Sequence, residues 1–203
     1  MKRMGWVLGW AVPEAWFAAL VNEFFSDAEH VCVRAAPHAL AQLEAAGPFD
    51  GLTGYSLGAL LLLKEPERVS RLGRVGLLAP IFAFAREEQA GGRVARAQVR
   101  YLTRWLRRDP AAAVADFFVR AGLDVPPGMK LDSPPDELAW GLERLTDDRV
   151  ALALPPDWGA WCGADDGLLD AAEINAAVPA VRVVPGGTHH PRALLRAMAE
   201  AVV

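Results

Sequence analysis

Serine is scarce in this chain, with four residues among 203, and so are histidine with four and cysteine with two. Few side chains are therefore available for nucleophilic or metal chemistry. Cys32 and Cys162 lie in apolar runs that read as buried strands, with no metal-ligand spacing, which predicts free core thiols and a reducing, cytoplasmic setting. No apolar run is long enough to span a membrane; the one after the basic start Met1-Lys2-Arg3 is short and interrupted, as in a soluble protein. There is no excess of positive charge: the net charge of −4 argues against general nucleic-acid binding. With 53% hydrophobic and 23% charged residues the composition shows no sign of disorder, and the length suits a single domain, 1–203, with one sizeable core.

The charge that is present is unevenly placed. Between Arg86 and Arg108 seven arginines face only Glu87 and Glu88, a local charge of +5, so the rest of the chain carries −9. Arg93, Arg96, Arg100, Arg104 and Arg107 recur at steps of three and four, the spacing that stacks side chains along one helix face, while Val94, Tyr101 and Trp105 mark an apolar face. Such a stripe is either an ordinary solvated face or a surface for an acidic partner.

Along the chain, short apolar runs alternate with helical patterns. Strands are predicted at residues 5–8, 30–34, 51–55, 75–80, 158–162 and 181–184, and helices at 14–25, 39–46, 57–65 and 192–202. This alternation predicts an α/β domain with a mostly parallel sheet of about six strands and helices on both faces. Residues 85–157 break the rhythm, with helical patterns interrupted by Asp109-Pro110, Val125-Pro126-Pro127-Gly128 and Ser133-Pro134-Pro135. That stretch is expected to be a helical lid over the carboxyl ends of the strands, where open α/β sheets place their ligands. The plainer alternative is a helical layer on one sheet face.

One stretch concentrates chemical potential. Gly54-Tyr55-Ser56-Leu57-Gly58 spells G-x-S-x-G between a predicted strand and a predicted helix. A serine on so sharp a turn is strained, and small residues two positions away let the chain pass close by. Given this composition, chance supplies the pentapeptide at roughly the few-per-cent level, before any flanking strand and helix are required. The hydroxyl is expected to be exposed at the helix N-terminus, with the unpaired amide of Leu57 pointing at a developing oxyanion. A nucleophilic serine needs a base. His189 and His190 follow the last strand in Gly186-Gly187-Thr188-His189-His190-Pro191, and His189 is the preferred candidate with His190 second. The orienting acid belongs after the preceding strand, where Asp165 and Asp166 are adjacent; Asp166 is preferred. The order Ser56, Asp166, His189 is that of an α/β-hydrolase triad.

On these residues the chain resembles the α/β-hydrolases, and most of all the pimeloyl-acyl-carrier-protein methyl ester esterases of biotin synthesis. Gly9-Trp10 is similar to that family's oxyanion turn, Gly54-Tyr55-Ser56-Leu57-Gly58 to its elbow, Asp166-Gly167-Leu168 to its acid loop, and His189 with Pro191 to its base loop. The elbow, oxyanion turn and base loop are shared with many hydrolases. Leu8 stands where the family has a histidine, and the two leading strands of a full hydrolase sheet are absent, leaving a minimal version of the fold.

The resemblance implies a carboxylic ester hydrolase acting by two-step acyl transfer without metal or organic cofactor. The amides of Trp10 and Leu57 would receive the oxyanion, and Trp10, Tyr55 and Phe82 would wall an acyl chain. It also gives the stripe Arg93, Arg96, Arg100, Arg104 and Arg107 a use in docking an acidic acyl-carrier protein. A thioesterase, a general short-chain carboxylesterase and a non-catalytic binding module on the same fold remain as alternatives.

Overall fold

The computed structural model describes residues 1–202. Its six-stranded sheet is assembled from β1 (Lys2–Val7), β2 (Ala28–Val33), β3 (Gly51–Tyr55), β4 (Arg74–Leu78), β5 (Gly159–Gly163) and β6 (Val181–Val184). The order is β2-β1-β3-β4-β5-β6, with every neighbouring pair parallel. All six predicted strands are present within a few residues of their expected bounds.

Helices α1 (Glu14–Asn22), α2 (Ala39–Ala46) and α3 (Leu57–Lys64) make the early crossovers, followed by the single turn α4 (Pro66–Val69). Beyond β4 come α5 (Arg96–Leu106), α6 (Pro110–Ala121) and α7 (Pro135–Asp147); α8 (Ala171–Ala177) joins β5 to β6, and α9 (Pro191–Val202) closes the chain. Neither α4 nor α8 is long enough to show a periodicity, so the pattern alone predicts neither.

Both sheet faces are covered, and β3 shows how. Successive strand residues point to opposite faces. A Cβ on Gly54 would meet Ala59 of α3, so α3 lies on that face. Thr53 bonds Met198 of α9 and Tyr55 stacks on Phe17 of α1, at 5.7 Å between rings, so α1 and α9 lie on the other. Helix α3 is buried from Leu57 through Leu63, which is why it is apolar almost all round.

The excursion after β4 is pinned at its root. Ala83 bridges Arg149 antiparallel, and the Val150 amide donates to the Phe82 carbonyl at 2.8 Å, so the outgoing and returning chains run side by side. Two of the prolines that interrupt the pattern start helices: Pro110 and Pro135 occupy first turns, where a missing N–H costs nothing, and Asp109 caps α6 through the Ala112 amide. No described helix is long and apolar enough to cross a membrane.

Candidate active site

The sheet order reverses direction between β1 and β3, and a crevice opens at such a switch point beyond the carboxyl ends of the strands. Ser56 follows β3 directly, with φ 54° and ψ −114°, a combination only glycine adopts without strain. The turn is possible because of its flanking glycines. A Cβ at Gly54 would lie 2.7 Å from the Ala59 Cα, and one at Gly58 would lie 2.1 Å from the Val7 carbonyl oxygen. Helix α3 thus starts hard against the end of β1. Ala11 and Ala79, which follow β1 and β4, also have positive φ, so backbone strain gathers at this end of the sheet.

His189 comes in from the loop between β6 and α9, and Asp166 from the loop after β5. The two loops touch because Gly163 has no side chain: its Cβ would stand 2.4 Å from the Gly187 carbonyl oxygen. His189 Nε2 is 3.0 Å from Ser56 Oγ, and His189 Nδ1 is 2.8 Å from Asp166 Oδ2. The other carboxylate oxygen of Asp166 accepts from the Leu168 and Leu169 amides at 2.8 and 3.0 Å. With Nδ1–H donating to Asp166, Nε2 is left to accept the serine proton. Asp165 is solvent-exposed, its amide bonded to the Gly187 carbonyl. His190 turns away, with Nε2 2.8 Å from Asp124 and its ring edge-on to Trp16.

The site is closed rather than open. Ser56 is 5% exposed, His189 2% and Asp166 0%, so the expectation of an exposed hydroxyl is corrected. The cover comes from the helices after β4. Trp10, at the end of β1, is buried; its indole N–H donates to the Leu138 carbonyl of α7 at 2.8 Å, and its ring meets Phe117 of α6 edge-on at 4.8 Å. Gly141 of α7 sits against both Trp10 and Leu57. The backbone amides of Trp10 and Leu57 have no hydrogen-bond partner among the described residues.

Tyr55 and Phe82, expected as acyl-chain walls, are fully buried core residues. Tyr55 donates its hydroxyl to the His189 carbonyl at 2.9 Å, and burial, then the charge of Asp166, push its phenol well above the ordinary value, so it remains a donor. Cys162 is also buried near Asp166; burial pushes its thiol up to about 12, which leaves no competing thiolate at neutral pH. A cavity of about 640 Å³ lies between α5, α6 and α7, and neither Tyr55 nor Phe82 lines it. Its walls include Phe84, Leu102, Trp105, Phe117, Leu142 and Leu168. No atom of Ser56, Asp166 or His189 lines it either, but Phe117 also packs on Trp10 and Leu168 also holds Asp166, so the chamber adjoins the site.

The arginine stripe divides. Helix α5 begins only at Arg96, because residues 91–93 are drawn aside to pair with the loop after β5. Arg93 bonds the Asp166 carbonyl and Asp170, and Arg96 bonds Glu88 and the Thr146 carbonyl, so neither offers a free charge. Arg100, Arg104 and Arg107 are exposed and form no ion pair among the described residues. Tyr101, Trp105 and Val94, read from the sequence as an apolar face, line the cavity. No group of three or more His, Cys, Asp or Glu side chains among the described residues is placed to hold a metal ion.

No protein-family model matches the chain, and no curated protein matches it in sequence. Solved structures do match in fold. An esterase from Exiguobacterium antarcticum superposes with a TM-score of 0.71 at 13% identity, over 100% of this chain and 90% of that one. The RedJ thioesterase from the prodiginine biosynthetic pathway of Streptomyces coelicolor gives 0.59 at 16% identity, over 98% and 89%. An alpha/beta hydrolase from Sphaerobacter thermophilus gives 0.54 at 19%, over 100% and 93%. At these identities the likeness establishes the α/β-hydrolase fold and nothing narrower.

Proposed function

We propose that this protein is a serine hydrolase of carboxylic esters, with Ser56 as nucleophile, His189 as general base and Asp166 as the acid that orients it. The observation that carries the reading is the buried, hydrogen-bonded series Ser56 Oγ, His189 and Asp166, at 3.0 and 2.8 Å, at the switch point of an α/β-hydrolase sheet. Ser56 Oγ attacks the ester carbonyl carbon while its proton passes to His189 Nε2, and the amides of Trp10 and Leu57 receive the oxyanion. Collapse of the tetrahedral adduct breaks the acyl–oxygen bond, and the imidazolium proton goes to the departing alcohol. Water, deprotonated by His189, then attacks the acyl-enzyme, and its collapse returns the proton to Ser56 and frees the acid.

Residues 85–157 act as the lid of this site, since α6 and α7 cover Trp10 and Leu57. The chamber among these helices, with Phe84, Leu102, Trp105 and Leu142 on its wall and Arg104 and Arg120 also lining it, suits an acyl chain bearing a polar end. The finer reading is a cytoplasmic esterase that removes the methyl group from pimeloyl-acyl-carrier-protein methyl ester in biotin synthesis. The exposed charges of Arg100, Arg104 and Arg107 on the lid support an acidic carrier as partner. Thioester cleavage is the second reading, since the same three side chains in the same arrangement would attack a thioester carbonyl. Mass spectrometry of a methyl-ester-loaded carrier protein after incubation separates them. Loss of a methyl group supports the esterase, loss of the whole acyl group supports the thioesterase, and an unchanged carrier with turnover of small esters leaves a general carboxylesterase.

A further inference from the structure

We infer that Arg93 is a positioning residue for the catalytic acid, fastening the entry segment of the lid to the loop that carries Asp166. The inference rests on the triad reading above. Its sequence spacing groups Arg93 with the lid arginines, but its contacts belong elsewhere. The guanidinium donates through one terminal nitrogen to the Asp166 carbonyl at 2.9 Å and through the other to the Asp170 carboxylate at 3.1 Å. Its own amide donates to the Leu168 carbonyl at 2.9 Å, and the Asp170 amide donates to the Gly91 carbonyl at 2.7 Å. An antiparallel bridge between Gly92 and Leu169 completes the seam.

These contacts bear on chemistry because of what the loop does. The carboxylate of Asp166 is held by the amides of Leu168 and Leu169, and those two residues are the ones paired with Gly92 and Arg93 on their other side. The loop has short reach: Asp166 lies three residues past the end of β5, and Asp170 caps α8 through the Glu173 amide. Between those anchors the turn at Gly167 is solvent-exposed, and Arg93 clamps both ends of it, the carbonyl of Asp166 and the side chain of Asp170. A planar guanidinium reaches the two groups from two nitrogens in a fixed fork, whereas an ammonium offers its donors from a single nitrogen and lacks that geometry. The amide of Glu173, and after it the pairing with Arg93, holds the Asp170 carboxyl below its ordinary range. Losing the clamp frees the turn, and a displacement of Asp166 by a fraction of an ångström turns the imidazole away from the serine.

The test uses p-nitrophenyl butyrate, a small ester with no carrier to dock. Arg93→Ala should lower kcat by about ten- to a hundredfold, the range typical of a small misplacement of a catalytic group, with KM little changed. Arg93→Lys should recover part of that loss. The far-downfield proton resonance of an imidazole bonded to a carboxylate should be present in the native protein and in inactive Ser56→Ala, and broadened or lost in Arg93→Ala. Asp170→Asn, which keeps the helix cap but not the charge, should give a smaller loss in the same direction and guards against a failure of Arg93→Ala to fold. Unchanged kcat with an intact resonance in Arg93→Ala, beside a dead Ser56→Ala, would overturn the positioning role alone. A loss confined to KM for a carrier-linked ester would overturn it too, by returning Arg93 to docking. Full turnover by Ser56→Ala would overturn the triad reading and this one with it.

Discussion

Replacing Ser56 with alanine and with glycine separates two things the elbow combines, a hydroxyl and a strained backbone. Both variants lose the 3.0 Å bond to His189 Nε2, which leaves a buried acceptor without a partner at a cost of about 1–3 kcal/mol. Alanine keeps the backbone at φ 54°, ψ −114° and keeps its strain. Glycine is at home there, which relieves about 1–3 kcal/mol, offset by about 0.5–1 kcal/mol of extra chain entropy lost on folding. Ser56→Gly should therefore be the more stable of the two by about 1 kcal/mol, equivalent to roughly 2–4 °C in melting temperature for a chain of this size. Calorimetry or denaturant titration of the pair measures the difference directly. A glycine variant less stable than the alanine variant would mean that the turn stores no strain and would refute the argument. Both should lose ester hydrolysis by up to about a millionfold, the scale seen when a triad nucleophile is removed.

Asp166→Asn should reduce turnover by about four orders of magnitude, because the amide favours the wrong imidazole tautomer, while Asp165→Asn, at an exposed site, should leave it within about twofold; the reverse ranking would assign the acid to Asp165. Reversing Arg100 and Arg107 to glutamate should lower kcat/KM for a carrier-linked ester by about tenfold at low ionic strength, with the loss shrinking as salt rises; a salt-independent loss shared equally by a small ester would indicate a damaged lid instead. The loop after α6 is tied to His190 through Asp124, whose carboxyl that hydrogen bond holds below its ordinary 3.8. A depressed carboxylate stabilises the folded contact above its unfolded pKa and loses that contribution as pH falls through the folded value, so protection against hydrogen exchange in residues 122–134, measured relative to the intrinsic rate at each pH, should fall below about pH 4. Asp124→Asn should remove that pH dependence; an unaltered profile in the variant would dismiss the tether.

Much of this protein is decided locally, and the sequence by itself determined that part. Glycines at 54 and 58 around Ser56, between an apolar strand and an apolar helix, leave few conformations other than the sharp turn, because any larger side chain would strike Ala59 or Val7. Alternating apolar runs and helical periods determined a parallel sheet covered on both faces, and the succession of strands set Ser56, Asp166 and His189 at the ends of β3, β5 and β6. What tertiary structure decided are pairings between residues far apart in the chain, which no local period encodes. It buried Ser56 beneath α6 and α7 through Trp10, Phe117 and Leu138, where the motif alone suggests an exposed hydroxyl. It chose Asp166 over Asp165 because the Gly163–Gly187 contact fixes how the two loops meet, which leaves one carboxylate inside and the other in solvent. It also withdrew Arg93 and Arg96 from a stripe whose spacing is helical throughout. The helix starts at Arg96 only because the preceding residues bond a loop some 75 positions later, and hydrogen bonds across that distance depend on the assembled sheet.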